Sequence, residues 1–215
     1  MSELIELLKS ASAEKKDGSS FSKVASQSHE FYLSGELESA ENYITWFDTI
    51  RHAGESDFVK IYINSPGGDL FTAIQFMRVL AETQATVCCS VEGACMSAAT
   101  MIFLCADQFE VTPHSMFMFH NYSGGTFGKG GEMIDQLQHE RIWSERMLRE
   151  TYANFLSEKE ITSILDNKDI WMDGTDVVSR LTSRMKLIKA ERSEDITTKP
   201  PRKKSVVKKQ QNPTE

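Results

Sequence analysis

Apolar and polar positions along this chain follow two rhythms, and the switches between them mark its elements. Phe58-Val-Lys-Ile-Tyr-Ile-Asn64 alternates with a period of two, as a half-buried strand does. Ser65-Pro-Gly-Gly68 breaks that rhythm as a turn, and from Leu70 to Thr83 the residues Leu70, Ile74, Met77 and Leu80 recur at helical spacing. The same order comes before this unit. Glu30-Phe-Tyr-Leu-Ser reads as a strand ending at Gly35, and Tyr43, Ile44, Phe47 and Ile50 line one face of a helix within Ser39–His52. It also comes after, with a strand at Thr86–Val91, a helix at Ser97–Cys105, and strands at Gln108–Thr112 and Met116–His120. Beyond the Gly-rich Ser123–Gly131, the spacing predicts a long helix over Glu132–Phe155 and a short one over Glu158–Leu165. Strand and helix in alternation predict an α/β layered fold with a largely parallel sheet.

Both ends of the chain lack this patterning. Residues 1–28 begin with a short helical pattern (Leu4, Ile5, Leu7, Leu8) and turn polar, while from about Ala190 the periodicity is lost and Pro200-Pro201 closes off any helix. The organisation predicted is an N-terminal extension over 1–28, a single domain over 29–190 and a basic, disordered tail over 191–215. A chain of 215 residues, 40% of them apolar, is long enough to fill one such core.

Charge sharpens the division. The net charge of −7 includes a run of Lys199, Arg202, Lys203, Lys204, Lys208 and Lys209, so the body is more acidic than the whole. Nucleic acid is therefore a poor partner for the body, and the tail reads as a solvated segment or one that meets an acidic surface. Cys88, Cys89, Cys95 and Cys105 form no C-x-x-C pair and sit among apolar neighbours, as reduced core cysteines of a cytosol-like compartment do. No secretory leader pattern is seen, and the longest apolar segment, Met96–Ala106, is too short to span a bilayer. A soluble, cytoplasmic protein without a membrane partner is expected.

Three segments carry candidate chemistry. Gly93-Ala-Cys-Met-Ser97-Ala-Ala hands a strand over to an apolar helix, where a serine hydroxyl can lie beside the first amides of the helix, an arrangement suited to a nucleophile and an oxyanion site. Small residues there also suit plain close packing. His120 ends the apolar strand Met116-Phe-Met-Phe and opens onto a polar loop, where an imidazole can act as a base near neutral pH, although a single histidine is by default a bland one. His29, His52, His114 and His139 have no comparable setting. Ser65-Pro-Gly-Gly68 exposes amides and serves either as an oxyanion donor or as a tight turn. Gly124–Gly131 lacks the spacing of a phosphate loop, which argues against a nucleotide.

Taken together, Tyr62-Ile-Asn-Ser-Pro-Gly-Gly68, Gly93-Ala-Cys-Met-Ser97, Met118-Phe-His-Asn121 and Asp169-Ile-Trp-Met-Asp-Gly-Thr-Asp-Val-Val178 resemble the ClpP-like serine peptidase family over about His29 to Ile188. The resemblance implies a ClpP/crotonase-like sheet-and-helix core with a protruding strand-helix handle. It implies Ser97 as nucleophile, His120 as base and Asp169 as the group that orients the base, with the amides of Gly68 and Ala98 holding the oxyanion. Asp69 and Leu70 with Ser123, Gly124 and Gly125 would flank an extended peptide bound as an added strand. By its position alone, Asp169 would pass for a solvated loop residue.

The stretch Gly125–Phe155 resembles the family's handle. Its apolar stripe of Ile134, Leu137, Ile142, Met147 and Leu148 suits core by spacing alone and a subunit interface by resemblance. A closed homo-oligomer of stacked rings is thus expected, acting on polypeptide substrates, without metal or organic cofactor, and fed by an AAA+ unfoldase ATPase. The sequence departs from the family pattern at Ala98, where Met is common, and at Asn121-Tyr122, where Gln-Pro is common. Other readings stay open: a phage head maturation protease, a ring-forming paralogue without activity, and a crotonase-type acyl-CoA enzyme.

Overall fold

The computed structural model describes residues 26–198. The Leu4–Leu8 pattern of the expected extension and the basic run from Lys199 onward lie outside the described residues. In chain order the elements are β1 (Ser28–Ser34), a 3-10 turn (Ala40–Tyr43), α1 (Ile44–His52), β2 (Phe58–Ser65), α2 (Leu70–Glu82), β3 (Thr86–Met96) and α3 (Ala98–Phe103). There follow β4 (Gln108–Val111), β5 (Met116–Phe119), α4 (Gly130–Tyr152), α5 (Glu158–Leu165), β6 (Ile170–Asp173) and α6 (Gly174–Thr198). The alternation read from the sequence is therefore an α/β fold.

The strands form one sheet in the order β1-β2-β3-β5-β6, with β4 beside β3. Every pairing is parallel except that of β5 with β6. In β2, Val59, Ile61 and Ile63 are buried while Lys60, Tyr62 and Asn64 keep contact with solvent, the period-two pattern of a sheet with one face in the core. The core gathers these residues with Phe47 and Ile50 of α1, Phe76 and Val79 of α2, and Ile102 and Phe103 of α3. Full burial of each such side chain stabilises the fold by about 1.5–3 kcal/mol. On the opposite face Tyr32 and Tyr62 stack with ring centroids 4.6 Å apart.

Three elements differ from the sequence expectation, each for a physical reason. β3 runs to Met96 and not to Val91, because its second half, Ala94–Met96, finds a new partner in β5 after Cys88–Val91 has paired with β4. The Gly-rich stretch before α4 carries no strand of its own, since nothing among the described residues pairs with it. Helix α6 continues to Thr198, past the loss of apolar periodicity at Ala190, through good helix formers such as Ala190, Glu191 and Arg192.

Candidate active site

β2, β3 and β5 are mutually parallel through β3, so their carboxyl ends share one edge of the sheet, the edge at which ligand sites of such sheets form. The residues that leave these three ends are Ser65–Gly68, Ser97 and His120. The pairing Met96↔Met118 sets the end of β3 beside β5, and the Ser97 amide donates to the Met118 carbonyl at 2.8 Å. From this anchor the Ser97 hydroxyl lies 2.6 Å from His120 Nε2.

Ser97 itself has φ 53° and ψ −129°, a backbone conformation that side chains resist at a cost of about 1–3 kcal/mol. It is the hinge of a strand-to-helix elbow that projects the hydroxyl away from the sheet. The surroundings over-determine it. All of Ala98–Phe103 is buried, and the Ser97 carbonyl accepts from the Thr100 amide at 2.9 Å and from the Thr100 hydroxyl at 2.6 Å.

The Ser65–Gly68 turn packs directly against this elbow. A Cβ on Gly67, whose φ is +94°, would stand 2.6 Å from Ser97 Cβ and 3.0 Å from the Ala98 nitrogen, so only glycine fits. Leu37 forms a parallel bridge here, donating to the Gly67 carbonyl and accepting from the Asp69 amide, each at 2.7 Å. That pattern turns the N–H of Gly68 to the side away from Leu37. Among the described residues neither the Gly68 nor the Ala98 amide donates to another protein group. Two unpaired N–H groups beside a serine hydroxyl are what an oxyanion site requires.

These groups line a cleft of about 710 Å³ that also takes in Asp69, Leu70, Ser123, Gly124 and Gly125. Asp69 has a structural duty as well, capping α2 through a 2.6 Å bond from the Thr72 amide to its carboxylate. Asp169 is the exception among the residues singled out in the sequence. It is exposed, does not line the cleft, and no hydrogen bond or ion pair links it to His120 among the described residues. Its position in the ladder is nevertheless specific. β6 pairs Ile170 with Phe119, so one further step of that antiparallel register sets Asp169 opposite His120.

The far wall of the cleft was not legible in the sequence. Met101 from α3, Phe71 from α2, and Trp143, Met147, Leu148 and Tyr152 from α4 make it largely apolar, and Phe71 stacks on Trp143 at 5.9 Å. His139, set aside above as unremarkable, also lines this cleft from α4. Only the tertiary packing of α4 against the elbow brings these residues in; of them, the sequence pattern flagged Met147 and Leu148 as part of an apolar stripe. The four cysteines are free. Burial pushes the thiols of Cys89 and Cys95 far up and that of Cys105 to about 11, so these three stay protonated and supply no thiolate. No cluster of metal-ligating side chains occurs among the described residues, nor any helix long and apolar enough to cross a membrane.

A layered α/β sheet with a strained serine and a histidine at its carboxyl edge is the setting in which known proteins offer a match. The model of the Clp protease family fits residues 21–180, and the chain belongs to that family. It is 26% identical over 122 residues to the ATP-dependent Clp protease proteolytic subunit 1 of Salinibacter ruber, covering 56% of this chain and 52% of the relative. With the proteolytic subunit 1 of Chlamydia felis the identity is 30% over 132 residues, covering 56% of this chain and 61% of the relative. These alignments thus span between half and two thirds of the curated relatives.

Proposed function

We propose that this chain is a serine endopeptidase subunit that cleaves polypeptides through an acyl-enzyme. The observation that carries the reading is the 2.6 Å contact between Ser97 Oγ and His120 Nε2 beside two unpaired amides. In this reading the Ser97 oxygen adds to the scissile carbonyl as its proton passes to His120, and the resulting oxyanion lies against the N–H groups of Gly68 and Ala98. His120 then returns the proton to the leaving amine, and water, activated by the same ring, releases the acyl group. Asp169 turns in from its place opposite His120 and accepts from Nδ1–H, fixing the tautomer that leaves Nε2 free to take the serine proton. Substrate lies extended between Gly68–Leu70 and Ser123–Gly125, held chiefly by main-chain hydrogen bonds.

The assembly belongs to the same proposal. Copies of the chain dock through α4 to enclose a chamber, and an ATPase delivers unfolded substrates to it. The exposed Ile134, Leu137 and Ile142 of α4 support the docking, and the relatives' description as ATP-dependent supports the partner. Free cysteines support a cytosolic setting.

A fluorophosphonate probe tests the reading. It is expected to modify Ser97 in the folded protein, to fail with Ser97→Ala, and to react about 100-fold more slowly with Asp169→Asn, for which loss of the tautomer-fixing carboxylate is the cause. Failure of wild-type protein to react, while a serine hydrolase alongside it is labelled, would overturn the reading. A rate for Asp169→Asn within twofold of wild type would remove Asp169 from it.

A further inference from the structure

The peptide unit between Ser97 and Ala98 has two ends with different partners. Its N–H, the Ala98 amide, is unpaired and borders the cleft, whereas its C=O, that of Ser97, points back into the protein and is held by Thr100. The Thr100 hydroxyl is in turn 2.8 Å from the hydroxyl of Tyr152, the last residue of α4. A carbonyl only accepts, so the Thr100 proton goes to Ser97 O and the Tyr152 phenol must donate to Thr100 Oγ1. The chain of donors therefore has one direction, from Tyr152 O–H through Thr100 O–H to the Ser97 carbonyl. Thr100 is fully buried and Tyr152 nearly so, and burial pushes the phenol far above its usual value, so it remains a donor at any working pH. The Tyr152 ring also meets Phe119, the residue before His120, edge to face at 5.5 Å.

We propose that Thr100 and Tyr152 are positioning residues for the oxyanion donor: their relay fixes the plane of the Ser97–Ala98 peptide and polarises it, so that the Ala98 N–H is aimed and strengthened for the negative oxygen of the transition state. In a trans peptide the C=O and N–H point in opposite directions, so bonds that fix the inner end fix the outer one. Hydrogen bonds in series polarise one another, which makes an amide whose carbonyl accepts two bonds a better donor. The inference rests on the peptidase reading above and assigns to that site a support that comes from a helix over fifty residues away in sequence. Neither residue touches substrate in this role.

Turnover of a fluorogenic peptide by full-length Thr100→Val, Thr100→Ser and Tyr152→Phe tests it, together with the affinity of a peptide aldehyde whose hemiacetal oxygen occupies the oxyanion position. Thr100→Val is expected to lower kcat by about 10-fold with KM nearly unchanged, below the roughly 100-fold or greater loss typical of removing an oxyanion donor outright. Aldehyde affinity should fall in parallel, Thr100→Ser should restore both to within about threefold, and Tyr152→Phe should cost about threefold. Tyr152→Phe keeps the buried ring and carries the test if Thr100→Val does not fold. An active wild type with equally active Thr100→Val and Tyr152→Phe overturns the inference alone, as does a loss confined to KM or a Thr100→Ser no better than Thr100→Val. A wild type that neither cleaves peptide nor takes up the fluorophosphonate overturns the peptidase reading and this inference with it.

Discussion

At the carboxyl edge of the sheet, Ser97, His120, Gly67 and Gly68 are held in place by the packing of one chain, whereas α4 from its start to just past its midpoint leaves Ile134, Leu137 and Ile142 57%, 48% and 73% exposed. The same helix behaves differently along its length: its buried residues, Ser144, Leu148 and Tyr152, all lie in the second half, where it closes the cleft. Ile134 and Leu137 continue that buried face by helical spacing, with no core beneath them. An apolar stripe of this kind, exposed in the single chain, is what the proposed docking of copies through α4 would cover. The difference teaches that the geometry on which the peptidase proposal rests is complete within one chain, while the helix that walls the cleft carries apolar positions that the same chain leaves uncovered.

The largest effect expected on the complete side comes from Gly67→Ala. The added methyl would collide with the Ser97 side chain at a positive φ, so the turn and the elbow cannot both keep their places. Strain and overpacking together should destabilise the protein by about 2–4 kcal/mol, and, in the proposed peptidase, displacement of Ser97 should lower kcat by about 100-fold or more. Gly124 lines the same cleft but has open space where its Cβ would be and an ordinary φ, so Gly124→Ala should stay within about 0.5 kcal/mol of wild type. Thermal unfolding and peptide turnover of the two variants check this. Equal behaviour would mean that the turn does not constrain the serine.

What could be read from the sequence follows the same division. Ser97, His120 and the Ser65–Gly68 turn stood out at the ends of patterned strands, which parallel pairing brings to one edge, but each also had a bland reading, and it was the resemblance that gave roles to them and to Gly68, Ala98 and Asp169. Gly67 sat inside the quoted turn, but its contact with Ser97 is a fact of tertiary packing. The Thr100–Tyr152 link was invisible for the same reason: 52 residues separate two hydroxyls that ordinary helix spacing places separately. For the stripe on α4, periodicity alone favoured core, and it was the resemblance that favoured interface. The pattern reports that a face is apolar and says nothing about whether the same chain covers it, and here the chain covers only half.

On the uncovered side, the double variant Ile134→Glu, Leu137→Glu is expected to shift the protein from oligomer to monomer in sedimentation velocity. Both side chains are exposed in the single chain, so the fold of the subunit should change in stability by less than about 1 kcal/mol. Charge on a surface that a second copy buries is, by contrast, costly. An unchanged distribution of species would show that this half of α4 is not an interface, and the contrast drawn above would lose its second member.

The smallest expected effect concerns the root of the helix, where the two regions join. Arg149 of α4 pairs with Glu145 and with Glu158 of α5, and Glu160 of α5 pairs with Arg180 of α6 through two bonds of 2.7 and 3.0 Å. The Arg180 guanidinium, with added bonds from Ser157, holds the Glu160 carboxyl down at about 2. A carboxyl whose folded value lies below its unfolded one contributes stability that is present above the unfolded value, ordinarily about 4.3 for glutamate, and is lost as pH falls toward the folded one. The wild type should therefore lose this contribution between about pH 4.5 and pH 2, while Glu160→Gln should start roughly 1 kcal/mol less stable and show a flatter decline across that interval, the modest size reflecting partial exposure of the pair. Urea unfolding at pH 7, 4 and 3 measures the difference. Parallel declines for the two proteins would mean that the pair does not fasten α5 to α6, leaving the root of α4 to the Arg149 pairs and the packing of Leu148, Tyr152 and Phe155.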